Sequence, residues 1–405
     1  MYKTLFFDKI AELKEKGSYR IFTEINRIAN KYPLAKGEDG KEVVVFCSND
    51  YLGMSQNQEV INVMSDALKE YGAGAGGSRN IGGSHKYFKL LENEIAKWHK
   101  KDSALVFPTG YSSNDASLQA LLRIFPEMIV FSDSKNHASI INALRSVKNK
   151  IEIFEHNNVK HLNELLNQYD INIPKLIVFE SVYSMDGDIA PIVEIVELAK
   201  EYNSLTFLDE VHAIGMYGEE GRGYSDVVGV QEDIDIIQST MAKGIGIIGG
   251  YITGGYITGD QLLIDVIRSY SSGFIFTTAL PPVIAAGCLT SIKIVRSNDK
   301  LREELQDKTK YLKEKFKENG IEVLKQSKTH ILPVIIGDSK KCEEAAKLLL
   351  DKFNIYVQAI NSPTVEIGTE RFRINVTPNH TKEQMDLLVS SIVYVFDFLN
   401  IRRSV

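Results

Sequence analysis

Lys243 sits where a lysine is costly unless it is used. It follows the apolar run 234–238 and two hydroxyl residues, Ser239 and Thr240, and opens the glycine-rich stretch Gly244-Ile-Gly-Ile-Ile-Gly-Gly250. An ammonium set against apolar walls loses hydration, which lowers its pKa and frees the amine to form a Schiff base. Thr240, where strand meets loop, can offer hydroxyl and amide donors to an anion. A solvated loop lysine is the competing reading of this segment alone. Four further residues have useful chemistry at comparable places: His137, Ser184, and the pair in Asp209-Glu-Val-His212. A carboxylate such as Asp209 facing a fixed cation has its ionised form favoured. His212, three residues on, could reach a ring hydroxyl, and the face of His137 could stack on an aromatic ring.

These residues need elements that bring them together. Three short apolar runs each end in polar residues: 128–131 before Ser132-Asp-Ser134, 175–180 before Ser181-Val-Tyr-Ser-Met-Asp-Gly187, and 205–208 before Asp209. Helix-patterned stretches lie between them, which predicts α/β architecture with a mostly parallel central sheet flanked by helices. Ligands bind such sheets off the carboxyl ends of the strands. That predicts His137, Ser184, Asp209, His212 and Lys243 along one rim. Thr109-Gly-Tyr-Ser-Ser-Asn114 opens a helix, where Gly110 and the free N–H groups suit a phosphate; an ordinary cap is the alternative. The run Gly72-Ala-Gly-Ala-Gly-Gly-Ser-Arg-Asn80 carries too many glycines for a helix or a strand. It reads as a loop where backbone approaches a ligand.

Outside this region the patterning predicts a helix over 4–16, a second helical stretch that Tyr19-Arg-Ile-Phe22 leads into and that ends near Tyr32-Pro33, and a strand over 43–47. Helices follow over 58–71 and 87–99, and a strand over 103–107. Beyond Arg268 the texture changes to helices at 283–297 and 300–319. A strand-helix-strand-strand-helix tail then covers 330–336, 342–353, 355–357, 372–376 and 382–399, a two-layer α/β pattern. The expected division is an N-terminal helical segment (1–45), a large domain (46–285) and a small C-terminal domain (286–405). One local repeat stands out: Gly249-Gly-Tyr-Ile-Thr253 is followed at once by an identical Gly254-Gly-Tyr-Ile-Thr258. Five is odd, so both copies cannot continue one strand with the same facing, and one is expected to bulge or form a hairpin.

Several classes are disfavoured. A formal charge of −6 over 405 residues lacks the basic footprint of a nucleic-acid binder. Three scattered cysteines (Cys47, Cys288, Cys342) make no metal-ligand pattern and fit a reduced, cytoplasmic setting. No apolar run has the length of a membrane span, and the acidic residues among the first lysines fit neither a signal nor a transit peptide. The glycine run at 72 does not follow a strand directly, against a dinucleotide fold. Glu210 and His212 lack a second histidine at helical spacing, against zinc. An amine, an acid for a pyridinium nitrogen, a phosphate cradle and a residue to hold the ring are instead what pyridoxal 5'-phosphate chemistry asks of a protein.

The motifs make that reading specific. Ser48-Asn-Asp-Tyr-Leu-Gly53, Asn136-His-Ala-Ser139, Ser181-Val-Tyr-Ser-Met-Asp-Gly187, Asp209-Glu-Val-His212 and Thr240-x-x-Lys243 resemble the α-oxoamine synthase family of fold-type I pyridoxal-phosphate transferases. Tyr19-Arg-Ile-Phe22, Gly77-Ser-Arg-Asn-Ile81, Arg268-Ser-Tyr-Ser-Ser-Gly-Phe-Ile-Phe-Thr-Thr278 and Gly368-Thr-Glu-Arg371 are most similar to the branch that serves haem and tetrapyrrole biosynthesis. The resemblance implies a homodimer that condenses glycine with succinyl-coenzyme A, releasing coenzyme A and carbon dioxide. It implies Lys243 as the Schiff-base residue and proton carrier, Asp209 on the pyridinium, His137 stacked on the ring, and Ser184 and His212 at the ring hydroxyl. Gly110, Tyr111 and Thr240 would hold the phosphate, with Thr277 and Thr278 reaching in from the partner subunit. Arg373 would take the glycine carboxylate. Arg20, Asn49, Ser78, Asn80 and Thr364 would serve the acyl donor, with Ser132 and Lys150 as further substrate contacts. Sister synthases that use other thioesters, and a catalytically impaired paralogue, are the competing readings.

The chain departs from the family in places. Ser78 stands where threonine is usual, and Ser362 and Ile367 where tyrosine and arginine are usual. Ile151 holds the place of a coenzyme A lysine, with Lys150 beside it. Gly244 replaces a common alanine, and the second Gly-Gly-Tyr-Ile-Thr copy reads as an insertion. No cysteine precedes a proline, so the haem-responsive Cys-Pro pair of some relatives is absent.

Overall fold

A computed structural model describes residues 1–17, 19–254 and 262–403. Two compact units emerge, one of Asn57–Tyr183 with Ile189–Arg302, the other of Met1–Gln56, Ser184–Asp188 and Glu303–Val405.

The larger unit is built on a seven-stranded sheet: β1 (Ser103–Phe107), β2 (Ile129–Asp133), β3 (Ile151–Phe154), β4 (Lys175–Glu180), β5 (Ser204–Asp209), β6 (Ile236–Thr240) and β7 (Gly250–Gly254). Across the sheet the order is β1-β7-β6-β5-β4-β2-β3. All pairings from β6 to β3 are parallel, while β7 runs antiparallel to both neighbours. Alternate residues feed two separate cores. Leu176, Val178 and Phe207 join one with Leu118, Leu121 and Ile236, while Ile177, Phe179 and Leu208 join the other with Leu162, Ile195 and Ile237. A strand apolar on both faces is what a sheet covered by helices on both sides requires. The mostly parallel sheet expected from sequence is therefore present.

The helices that matter for chemistry are α1 (Lys86–His99), α2 (Gly110–Ile124) and α3 (Ala138–Arg145). The helix Gln58–Tyr71 has the bounds its periodicity predicts, started by an Asn57 cap that accepts from Glu59 and Val60 N–H. β7 consumes the first copy of the five-residue repeat, with Gly250 opposite both Thr240 and Phe107. Only glycine fits at 250, since a Cβ would lie 2.3 Å from the Thr109 carbonyl oxygen. Residues 255–261 lie outside the described residues, and with them falls the expectation that one copy bulges.

The smaller unit holds two sheets. One pairs Asn26–Arg27, Leu34–Lys36, Glu42–Val45 and Ile355–Tyr356; the other pairs Leu332–Ile335, Arg371–Ile374 and Ala359–Ile360. The helices Ser339–Phe353 and Lys382–Phe398 pack against Phe46, Leu332, Phe372 and Ile374 around one core. The helical stretch predicted between Phe22 and Tyr32-Pro33 is corrected here: these residues contain no helix. Asn26–Arg27 is extended and pairs with Leu34–Lys36, and Asn30 turns the chain at φ 64°. The extended backbone delivers the Arg27 guanidinium to Asp50 (3.3 Å), Ser55 and Ser48, a set of partners that local periodicity does not reveal. Among the described residues, no helix is long and apolar enough to cross a membrane.

Candidate active site

In the larger unit the strand ends are in register, with Glu180 opposite Asp209 and Asp209 opposite Gln238. Asp209 closes β5 and is buried. Its carboxylate accepts from Asn114 Nδ2 (2.8 Å) and from the Val211 N–H (2.9 Å). Asn114 Nδ2 also donates to Ser139 Oγ (3.1 Å), and Ser139 Oγ meets His137 Nδ1 at 2.8 Å. Because His137 Nδ1 also accepts from the Ser139 N–H, the proton of its neutral ring belongs on Nε2. Burial lowers the His137 pKa, with Lys243 acting the same way and Asp209 opposing, so this ring is neutral near pH 7. One amide thus links the acid of β5 to the histidine that caps α3.

Lys243 follows β6 with its Nζ 3.1 Å from His212 Nε2. Thr240 shapes the intervening turn: its hydroxyl donates to the Gly249 carbonyl (2.7 Å) and accepts from the Ala242 N–H (3.2 Å). Gly110 opens α2 behind a Thr109–Ser112 capping box. A Cβ at Gly110 would come within 2.9 Å of Thr240 Cβ, so the helix N-terminus can approach the β6 turn only with glycine there. The Tyr111 ring is half exposed, edge-on to His137 at 6.4 Å. Glu180 is buried beside Asp209, and burial first, then the Asp209 charge, raises its pKa well above the ordinary value. Glu180 is therefore driven toward its uncharged form.

The remaining predicted residues of this unit are more scattered. Ser78 pairs with Thr278 in an isolated antiparallel bridge, with Asn80 and Thr278 exposed and Thr277 half-buried. Ser132 is buried in β2 and accepts from Asn136 Nδ2 (2.9 Å). Lys150 is exposed and pairs with Glu152 (3.1 Å).

A second constellation lies within the smaller unit. Arg373, buried in its strand, donates Nε to the Ser184 carbonyl (2.6 Å), Nη1 to Asn49 Oδ1 (3.0 Å) and Nη2 to the Tyr51 hydroxyl (2.6 Å). The Tyr51 hydroxyl in turn donates to Asn49 Oδ1 (3.1 Å). His330 packs edge-on to Tyr51 at 4.3 Å; burial, then Arg373, pushes its pKa well down, so it adds no positive charge. Exposed Arg20 reaches Thr364 Oγ1 from Nη2 (3.3 Å), joining two predicted acyl-donor residues that are 344 positions apart. Asn114, Ser139, Glu180 and Tyr51 were not singled out from sequence. Asn114 and Tyr51 lie inside motifs that were, but their roles exist only through partners distant in the chain.

The fold and the amine–carboxylate site define a pyridoxal-phosphate transferase of the aminotransferase class I and II family, whose model matches residues 41–392. The 5-aminolevulinate synthase of Rickettsia bellii is 46% identical over all of this chain and 96% of its own length. That of Rhizobium meliloti is 46% identical over 96% of each. Serine palmitoyltransferase of Sphingomonas wittichii superposes with a TM-score of 0.90 at 26% identity, covering 99% of this chain and 98% of its own. Within the wider family, the chain belongs to the 5-aminolevulinate synthases.

The residues present fit pyridoxal phosphate. A lysine amine, a buried carboxylate, a neutral histidine ring and a helix N-terminus narrowed to glycine are the donor set the cofactor requires.

Proposed function

We propose that this protein condenses glycine with succinyl-coenzyme A to 5-aminolevulinate, coenzyme A and carbon dioxide, the first step of haem and other tetrapyrrole synthesis. The observation that carries this is the Asp209 carboxylate and the Lys243 amine at the carboxyl end of one sheet, each with a fixed partner. Full-length identity to named synthases supports the acyl donor. When bound, pyridoxal phosphate supplies the electron sink that makes the glycine α-carbon acidic.

The protein's own residues do the rest. Asp209, fixed by Asn114 and the Val211 N–H, would pair with the cofactor's ring nitrogen and favour its protonated form. His137 would stack on the ring, and the α2 N-terminus with Gly110, Tyr111 and Thr240 would take the phosphate. Ser184 and His212 would serve the ring hydroxyl. Lys243 Nζ would hold the cofactor and serve as the base for the glycine α-proton, with His212 Nε2 as its neighbour at 3.1 Å. Arg373 receives the glycine carboxylate, for which a guanidinium offers two parallel donors. Arg20, Asn49, Ser78, Asn80 and Thr364 recognise the succinyl end, and Ser132 and Lys150 are assigned to substrate binding.

A homodimer in the cytoplasm belongs to the same proposal, with Thr277 and Thr278 serving the partner's phosphate and domains divided at 45 and 285. The test is to reduce the cofactor-loaded protein with borohydride and map the modified peptide. A cofactor adduct on Lys243, together with coenzyme A release only when glycine and succinyl-coenzyme A are both present, supports the reading. An adduct on another lysine, or none, refutes it.

A further inference from the structure

The residue between Ser78 and Asn80 has a different environment from either. Asn80 is exposed and Ser78 half-buried, whereas the Arg79 side chain turns inward and is only 20% exposed. Its guanidinium makes a two-pronged pair with Glu92 of α1: Nη1 meets Oε1, and Nη2 donates to Oε2 at 3.1 Å. Glu92 Oε1 also accepts from the Val106 N–H of β1 (3.0 Å). The rings of Phe88 and Phe274 lie 4.3 and 5.4 Å from the guanidinium carbon. One side chain thus ties the short helical turn Arg79–Ile81 to a helix, to a strand edge and to the segment leading to Thr277.

The turn itself is stiff. The Ser78 carbonyl accepts from both the Ile81 N–H (3.0 Å) and the Gly83 N–H (2.8 Å). A Cβ at Gly83 would lie 2.2 Å from the Gly77 oxygen, so the chain closes on itself only with glycine there. The Gly77 carbonyl accepts from the Ala279 N–H (3.0 Å), and Ser78 bridges Thr278. A turn closed this tightly moves as one body, and its position depends on what anchors it. Beside the backbone ties to Thr278 and Ala279, its side-chain anchor is the Arg79–Glu92 pair. A two-pronged pair fixes direction as well as distance, which a lysine cannot reproduce.

We propose that Arg79, held by Glu92, is a positioning residue for acyl-donor selectivity: it sets where Ser78 and Asn80 stand and touches no substrate itself. This rests on the proposed function, in which Ser78 and Asn80 recognise the succinyl carboxylate. A misplaced turn then weakens succinyl-coenzyme A while leaving a thioester without a distal carboxylate unaffected. A structural role alone would affect both alike.

The experiment compares KM for succinyl- and acetyl-coenzyme A in the full-length enzyme, as wild type, Arg79→Lys, Glu92→Gln and Arg79→Ala. In Arg79→Lys and Glu92→Gln the succinyl-coenzyme A KM is expected to rise about tenfold, as for loss of one charge-assisted bond. The acetyl-coenzyme A and glycine KM values stay within about twofold, on the order of the error of such differences. A cavity of about 300 Å³, lined by Arg79, Glu92, Asp102 and Arg268 among others, adjoins the pair. Added guanidinium ion is therefore expected to restore part of the succinyl-coenzyme A affinity of Arg79→Ala. Equal rises for both thioesters, or no rise, overturn the proposal. A wild-type enzyme with no preference for succinyl over acetyl overturns the functional reading beneath it, and this inference with it.

Discussion

Asn114 carries the most exposed prediction, because a single amide joins Asp209 to the His137–Ser139 pair. Asn114→Leu keeps the branch at Cγ and removes both donors, at the cost of some added bulk. A hydrogen bond to a charged group contributes about 1.5–3 kcal/mol and a neutral one about 0.5–1.5 kcal/mol. Only the first acts on the carboxylate that faces the cofactor, and the Val211 N–H at 2.9 Å remains to hold one oxygen. Cofactor affinity should therefore fall about 10- to 100-fold, taking 1.4 kcal/mol per tenfold. The assay is equilibrium titration of cofactor-free enzyme, followed by absorbance. The decisive arm repeats the substitution in an Asp209→Asn background, where no charge remains to be held and the loss should shrink to about threefold or less. An equal loss in both backgrounds would show that Asn114 acts by packing alone. No loss in either would refute the network.

Two further outcomes follow from the structure. Gly244→Ala places a Cβ 2.4 Å from the Ile214 carbonyl oxygen and 2.7 Å from Met216 Sδ. Overpacking of this kind costs about 1–3 kcal/mol, read as a lower urea midpoint; an unchanged midpoint would mean that the Lys243 turn shifts freely. His99 and His380 are both held at about 3, burial being the main cause. As pH falls below about 6.5 the unfolded chain gains protons that the folded chain refuses, so stability falls from there until about pH 3. Each histidine contributes up to about 5 kcal/mol over that window. His99→Gln should flatten the dependence of unfolding free energy on pH between 6.5 and 4, and an unchanged slope would contradict this.

The parallel sheet could be read from sequence because its strands are apolar on both faces: Leu176 and Val178 fill one core, Ile177 and Phe179 the other. Lys243, Asp209, His212 and His137 stand out as candidates because strand-end position and residue chemistry coincide, and the structure joins Lys243 to His212 and links Asp209 to His137 through Asn114 and Ser139. Asn114 could not, since a helix-borne asparagine near a cap is ordinary until Asp209 and Ser139 fold beside it. Tyr51 stayed equally silent, its hydroxyl acquiring meaning only from Arg373, 322 residues away. The stretch between Phe22 and Tyr32-Pro33 misled because helical spacing competes with tertiary demand, and Arg27 needs an extended backbone to reach Asp50. The first Gly-Gly-Tyr-Ile-Thr copy reads plainly as β7 once its partners are known: Gly250 lies against the Thr109 carbonyl, and Tyr251 meets His99 at 2.9 Å.

The proposed reaction joins glycine to a four-carbon acyl group. It is tested most directly by incubating the enzyme and cofactor with glycine and, separately, acetyl-, succinyl- and long-chain coenzyme A thioesters, and weighing the products. 5-Aminolevulinate from succinyl-coenzyme A is expected as the dominant product, with its formation abolished in Lys243→Ala. An aminoketone formed preferentially from acetyl- or long-chain thioesters, or product formed without Lys243, would contradict it.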